Sequence, residues 1–285
     1  MKLIDFNSRP PIKAFDTGAS HLKNYRRVYK RTEGEVGRGH GKDAVATYLA
    51  TYQRLGVERV LIKAKDVETT FGVKSPNEDV AGFCREHGER YVGFAGVDPN
   101  KGMAAIRELE FAVRELGMRG LNIQCFEHKM PINDKRLYPL YAKCIELGIP
   151  VNIHTSINFS AECLMEHGRP ILLDEVMVHF PELVVIASPP GFPWVHELLG
   201  VAWRHANVHI GVSAIRPKLL AIPNSGYEAL LQYGTTILQD RMIFGTAFPM
   251  QPIETAIEEM MALPMKEAVR EKWIYGNAAR LLGLG

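Results

Sequence analysis

Cysteine is scarce in this 285-residue chain, and Cys84, Cys125, Cys144 and Cys163 show no C-x-x-C spacing. That excludes a cysteine-built zinc site or a thioredoxin-type redox pair, and it implies reduced thiols in the cytosol. An excess of charge of one sign is also missing. The net charge is +2 with no long Lys/Arg run, so nothing points to nucleic acid. No stretch is apolar and long enough for a membrane span. The opening Met1-Lys2-Leu3-Ile4-Asp5 enters a strand pattern directly, without the apolar stretch and cleavage site of a signal peptide. The expectation is a cytoplasmic protein without nucleic-acid or membrane partners. No linker, internal repeat or low-complexity tract divides the chain, so residues 1–285 are expected to form one domain.

What is present is an alternation of short apolar runs with helix-period segments. Strands are expected at Lys2–Asn7, Arg59–Lys65, Tyr91–Val97, Gly120–Gln124, Val151–Thr155, Leu183–Ser188, Val208–Ser213 and Met242–Thr246. Between them, stretches such as Gly102–Leu116 and Leu137–Leu147 repeat apolar residues at helical spacing. Eight strands alternating with helices predict an α/β fold of the closed (β/α)8 (TIM) barrel type. Near-continuous apolar runs suit strands covered on both faces. In such a barrel, polar residues at the C-terminal strand ends carry chemistry. Val151-Asn152-Ile153-His154-Thr155 is the clearest instance.

The thirty-odd residues from Arg9 to about Gly41 are long for a βα loop. They hold Lys13, Lys23, Arg26, Arg27, Lys30 and Arg31, with Tyr25 and Tyr29 interleaved, and end in a glycine-rich run from Gly34 to Gly41. Two readings stand side by side: a mobile lid that attracts an anionic substrate, or a solvated surface loop or subunit contact. No Gly-Lys-Ser/Thr ending follows, so the run is not a phosphate loop.

Several segments, in order, resemble the amidohydrolase-related family, the second amidohydrolase group that includes aminocarboxymuconate-semialdehyde decarboxylase-like enzymes. They are Ile4-Asp5 with Arg9-Pro10-Pro11, Leu137 to Tyr141, Gly148 to Thr155, Phe180 to Leu183 leading to Ser188, Asp240 to Pro249, and Asn277 to Leu282. The resemblance implies hydrolase or carboxy-lyase activity and a dimer or larger homo-oligomer. It also implies a metal held from strands one, five, six and eight. Those positions fall here on Asn7, Arg9, His154, Ser188 and Ala247. Only His154 is a good ligand, and a permanent guanidinium cation repels a divalent ion. No metal and no other cofactor is therefore expected.

Strand alternation places Asn7 and Arg9 on one side of strand one, Lys63 and Lys65 inward on strand two, and Asn122 and Gln124 inward on strand four. It places Asn152 and His154 inward on strand five, with Ser188 and Ser213 ending strands six and seven. The expected mouth is cationic, with amides, one histidine and no assigned inward carboxylate. Such a cluster calls for a small anionic substrate, whose carboxylate Arg9 would grip through two hydrogen bonds. Asn7, Asn122, Gln124, Asn152 and Ser188 are candidate substrate-binding residues. His154, with an intrinsic pKa near neutrality, is the candidate acid/base, and against that stands an ordinary structural histidine. Lys63 is the candidate base or Schiff-base nucleophile, provided it points inward; the alternative for both lysines, favoured for Lys65, is escape to solvent past the strand end. Ser188 is not expected to be a nucleophile, because Pro189 and Pro190 supply no N–H for an oxyanion hole. Cys125 is expected to be buried and structural, and Asp66, Asp98 and His128 stand near the mouth without an assigned role.

Three functions remain open on these residues. One is a metal-independent enzyme that hydrolyses a lactone or ester, or decarboxylates a small carboxylated substrate. The others are a pseudoenzyme that binds an acid ligand, and a structural subunit.

Overall fold

The computed structural model describes residues 2–15, 20–28 and 42–284. Eight parallel strands form one sheet: β1 (Ile4–Ser8), β2 (Arg59–Lys63), β5 (Tyr91–Gly96), β6 (Leu121–Ile123), β7 (Val151–Ile153), β8 (Val185–Ala187), β9 (Val208–Val212) and β10 (Met242–Phe244). The sheet closes where β10 runs into β1: Ser8 bridges to Phe248, the Arg9 N–H donates to the Phe248 carbonyl at 3.0 Å, and the Ala247 N–H to the Asn7 carbonyl at 2.7 Å. This is the expected (β/α)8 barrel, with helices between strands. Among the described residues, no helix is long and apolar enough to cross a membrane.

Side chains divide between two cores. Ile4, Phe6, Leu61, Phe94, Ile186 and Ile243 cluster together, capped by Ala278, Ala279 and Leu282 near the C-terminus. A larger core, including Val60, Ile62 and Ala64, packs the sheet against its helices. The alternation Leu61 in, Ile62 out is as the sequence predicts, because a strand buried on both faces must send alternate residues to different cores.

Two local departures shape the mouth. First, β2 does not extend to Lys65. It ends at Lys63, and Lys65–Val67 begins a small antiparallel hairpin, β3, with β4 (Val73–Ser75). The chain crosses so closely over Gly96 that a Cβ there would lie 2.4 Å from the Lys65 nitrogen. Asn77 fixes the crossing point, donating to the Gly96 carbonyl and accepting its N–H at 3.1 and 2.9 Å.

Second, β1 carries one extra residue. Asp5 pairs with Val60 and Ser8 with Ile62, so three steps on β1 match two on β2. A bulge of this kind resets the alternation. Phe6 stays in the inner cluster, the Asn7 amide reaches Ser213, and the Ser8 hydroxyl meets Tyr48 and Tyr52 of the helix Lys42–Arg54. The buried Asp5 carboxylate knits this closure. It accepts from the Asn7 and Thr246 N–H groups and from the Tyr52 and Thr246 hydroxyls, at 2.6–3.1 Å.

Candidate active site

The C-terminal strand ends gather three polar clusters. The first is a directed chain. Lys63 Nζ donates to Asn152 Oδ1 at 2.8 Å, Asn152 Nδ2 to Asn122 Oδ1 at 3.0 Å, and Asn122 Nδ2 to the Ala64 carbonyl at 2.9 Å. Its direction is fixed by its last member, since a backbone carbonyl only accepts. Asn122 must then turn its amide nitrogen to Ala64, which leaves its oxygen for Asn152 and the Asn152 oxygen for Lys63. Lys63 is 8% exposed, with its Nζ 5.6 Å from the centre of the Phe6 ring. Burial lowers its amine from 10.5 to about 7, with Asp5 opposing the fall and the Arg9 cation adding to it. Neither Lys63 nor Arg9 forms an ion pair among the described residues.

In the second cluster, the Ser188 and Ser213 hydroxyls lie 2.7 Å apart, and Asn7 Nδ2 donates to Ser213 Oγ at 3.3 Å. Gly211 makes room for it, because a Cβ there would lie 2.5 Å from that of Ser188.

The third cluster centres on Glu127, in the turn that follows β6. Its Oε1 is 2.7 Å from His21 Nε2 and 2.9 Å from Lys65 Nζ, with His21 and Glu127 fully buried and Lys65 mostly so. Burial by itself would raise this carboxyl, but the Lys65 charge and the His21 bond override it and hold it at about 2. His21 stacks on Phe71 at 3.7 Å between ring centres. Three atoms around this cluster, Glu127 Oε2, His21 Nδ1 and His128 Nδ1, are buried without a hydrogen bond.

His154 sits on the edge of Phe126, ring centres 4.6 Å apart, with Nδ1 buried and unpartnered. Burial lowers its pKa to about 4 against the opposing charge of Glu127, so the ring is neutral at pH 7. The loop above rests close on it: a Cβ on Gly168 would lie 2.8 Å from the Ser156 carbonyl and 3.4 Å from His154 Nδ1.

The structure thus joins Lys63, Asn152 and Asn122 in one chain and Asn7 and Ser188 in another, with the Arg9 charge near enough to act on Lys63. Gln124 is half-buried just beyond β6, where its carbonyl accepts the Glu127 and His128 N–H groups. Two expectations are corrected. Lys65 does not escape to solvent, because a buried carboxylate holds it. The mouth also does contain a carboxylate, Glu127. No periodicity marks Glu127, since it lies in a turn. The usable signal was its position a few residues past a barrel strand, beside His128. Asp66 is engaged by Lys101 at 2.6 Å and Lys74 at 3.4 Å, and Asp98 accepts from Thr69 and Asn100, so both anchor loops. Cys125 is buried in the outer core, where burial raises its thiol far above the usual range. Of the long basic loop, Lys13–Phe15 and Ser20–Leu22 form short turns and Lys23–Val28 a helix. The run from Gly34 to Gly41, with Tyr29, Lys30 and Arg31, lies outside the described residues.

The five positions that the family resemblance assigns to a metal do not fit one. Asn7 and Ser188 are tied to Ser213, Arg9 brings a cation, and Ala247 has no donor. His154 alone offers an unpartnered ligand atom. Among the described residues, no three His, Cys, Asp or Glu side chains are placed to hold a metal ion.

Closed barrel and polar mouth together define a (β/α)8 protein of the kind whose active site lies at the C-terminal strand ends. The chain belongs to the amidohydrolase family, whose model matches residues 38–284. It is 25% identical to a gamma-resorcylate decarboxylase of Rhodococcus jostii over 73% of this chain and 75% of that protein. A crystal structure of an uncharacterised TIM-barrel protein from Bordetella bronchiseptica is 29% identical, with a TM-score of 0.80 over 100% of this chain and 99% of that one. A dihydroxybenzoic acid decarboxylase from a Polaromonas species, solved with bound manganese and the inhibitor 2-nitroresorcinol, shares the fold at 17% identity. Its TM-score is 0.67 over 99% and 96% of the two chains.

Proposed function

We propose that this chain is a carboxy-lyase that removes CO2 from a small hydroxylated aromatic acid, without a bound metal. The observation that carries the reading is the pairing of Lys63 and Arg9. Lys63 is buried and titrates at about 7, the half-buried Arg9 is near enough for its charge to oppose that of Lys63, and neither has an ion-pair partner among the described residues. Unpaired cations in such a place call for an anion. The decarboxylases among the relatives supply the reaction class.

In this reading Arg9 orients the substrate carboxylate, its planar fork matching the two oxygens. The Lys63 ammonium gives its proton to the ring carbon that bears the carboxylate. The bond to the carboxylate then breaks, its electron pair restores the aromatic ring, and CO2 leaves. The sum is aromatic carboxylate plus one proton giving arene plus CO2, with water reprotonating Lys63. A donor with a pKa near the working pH suits this transfer. His154, neutral at pH 7, serves as a hydrogen-bonding wall rather than the proton source. The Asn152–Asn122 chain holds Lys63 in place, a positioning role beside the substrate contacts expected of both.

The test is CO2 release from dihydroxybenzoates by protein dialysed against chelator, with the metal content measured. Turnover that survives chelation and is lost in Lys63→Met supports the reading. Stoichiometric manganese or zinc, or activity that returns only when metal is added, would overturn metal independence. Tight binding without CO2 release would favour a protein that only holds an acid ligand.

A further inference from the structure

We infer that Lys63 is also a nucleophile: its amine condenses with the ketone of small β-keto acids, giving this barrel a second, imine-dependent decarboxylation. The substrate class differs from the aromatic one, and the inference does not rest on that reaction.

Lys63 lacks the anionic partner that its neighbour in sequence has. Lys65, two residues on, is ion-paired with the Glu127 carboxylate at 2.9 Å. Among the described residues Lys63 hydrogen-bonds only the neutral Asn152 oxygen, at 2.8 Å, with the Phe6 ring beyond it. That oxygen is presented by a chain whose polarity is set by the Ala64 carbonyl, so it can only accept. A neutral acceptor is satisfied as well by an amine N–H as by an ammonium, and it does not demand protonation. The Asp5 carboxylate hydrogen-bonds four other donors, and although its charge favours the ammonium, burial outweighs it. Burial at 8% exposure removes the water that would stabilise a positive charge on Lys63, and the Arg9 guanidinium adds a smaller opposition to it. A buried amine that loses its proton above about pH 7, with one N–H anchored and a permanent cation near enough to oppose its charge, meets the needs of imine chemistry.

The steps balance. The Lys63 nitrogen attacks the ketone carbon of the β-keto acid, and the carbinolamine loses water to give a protonated imine. The carboxylate leaves as CO2, and its bonding pair moves toward the imine nitrogen to form an enamine. A proton from water adds at carbon, and a second water hydrolyses the imine, returning the Lys63 amine and a ketone. The sum is β-keto acid anion plus one proton giving ketone plus CO2.

The experiment is borohydride reduction of the whole protein in the presence of acetoacetate, with the modified peptide located by mass spectrometry. The expected result is a reduced adduct on Lys63, rising with pH through about 7 and absent in Lys63→Arg. Asn152→Asp places a carboxylate against the amine. Labelling at neutral pH should then drop by about tenfold for each pH unit that the lysine rises, with recovery at higher pH. A merely structural Asn152 would not give that pH rescue. An adduct that survives Lys63→Arg, or no adduct with the native protein, would overturn the inference. No adduct with intact hydroxybenzoate turnover defeats only the imine activity. Adduct formation without that turnover defeats only the aromatic reading.

Discussion

Replacing Lys63 by methionine exposes the energetic state of the amine directly. The folded protein holds it at about 7 against an ordinary 10.5. Between those values the unfolded chain binds the proton and the folded chain does not, so native stability rises with pH across the window. It is lowest below 7, where folding must carry the charge into the mouth. At about 1.4 kcal/mol per pH unit, the full span is on the order of 5 kcal/mol. Methionine is unbranched and uncharged, and fills irregular space well. Lys63→Met should therefore gain most over the native protein below pH 7, and lose on the order of 5 kcal/mol of that advantage by pH 10.5. The Asn152 oxygen left without its donor costs about 1–3 kcal/mol at every pH, which shifts the curve without bending it. Urea unfolding of both proteins from below pH 7 to above pH 10 gives the difference. A difference flat with pH would refute the picture of a desolvated, unpaired amine.

Glu127→Gln should destabilise the fold by about 3–5 kcal/mol, because it leaves a buried Lys65 cation without its carboxylate; equilibrium urea unfolding at pH 7 reads this. In the native protein Glu127 sits below its ordinary 4.5, at about 2. Its stabilisation is complete above 4.5 and disappears as pH falls toward 2, so acid unfolding of native protein and Glu127→Gln should converge there. Asn77→Ala leaves the buried Gly96 N–H and carbonyl without partners and should cost about 2–4 kcal/mol in thermal or urea unfolding. Gly168→Ala drives a methyl against the Ser156 carbonyl and should cost about 1–3 kcal/mol. It should also change the chemical shifts of the His154 ring in NMR, whereas Gly200→Ala, with open space around it, should leave them unchanged.

The barrel was legible in the sequence because its signal is local and repeated. Runs such as Leu183 to Ala187 are apolar on consecutive residues, since both faces are covered, and the helices between them show their own period. The alternation Leu61, Ile62, Lys63 is regular and allowed an inward Lys63, but it left escape to solvent open, and burial against Asn152 decides the matter. Glu127 was not legible, because its role comes from His21 and Lys65, more than sixty residues away in either case, and no local pattern couples them. Lys65 was misplaced for a related reason. The strand pattern continues through it, and only the crossing over Gly96 turns the chain away into a hairpin.

By itself, the sequence determined the order of strands and helices, the family, and which polar residues end the strands. These follow from periodicity and from motifs a few residues long. The tertiary structure decided which charges remain unpaired. It neutralised Lys65 with Glu127, left Lys63 facing a neutral amide beside Arg9, and buried His154 enough to keep its ring uncharged at neutral pH. Protonation states are set by burial and by partners distant in the chain, so they exist only once the barrel has closed.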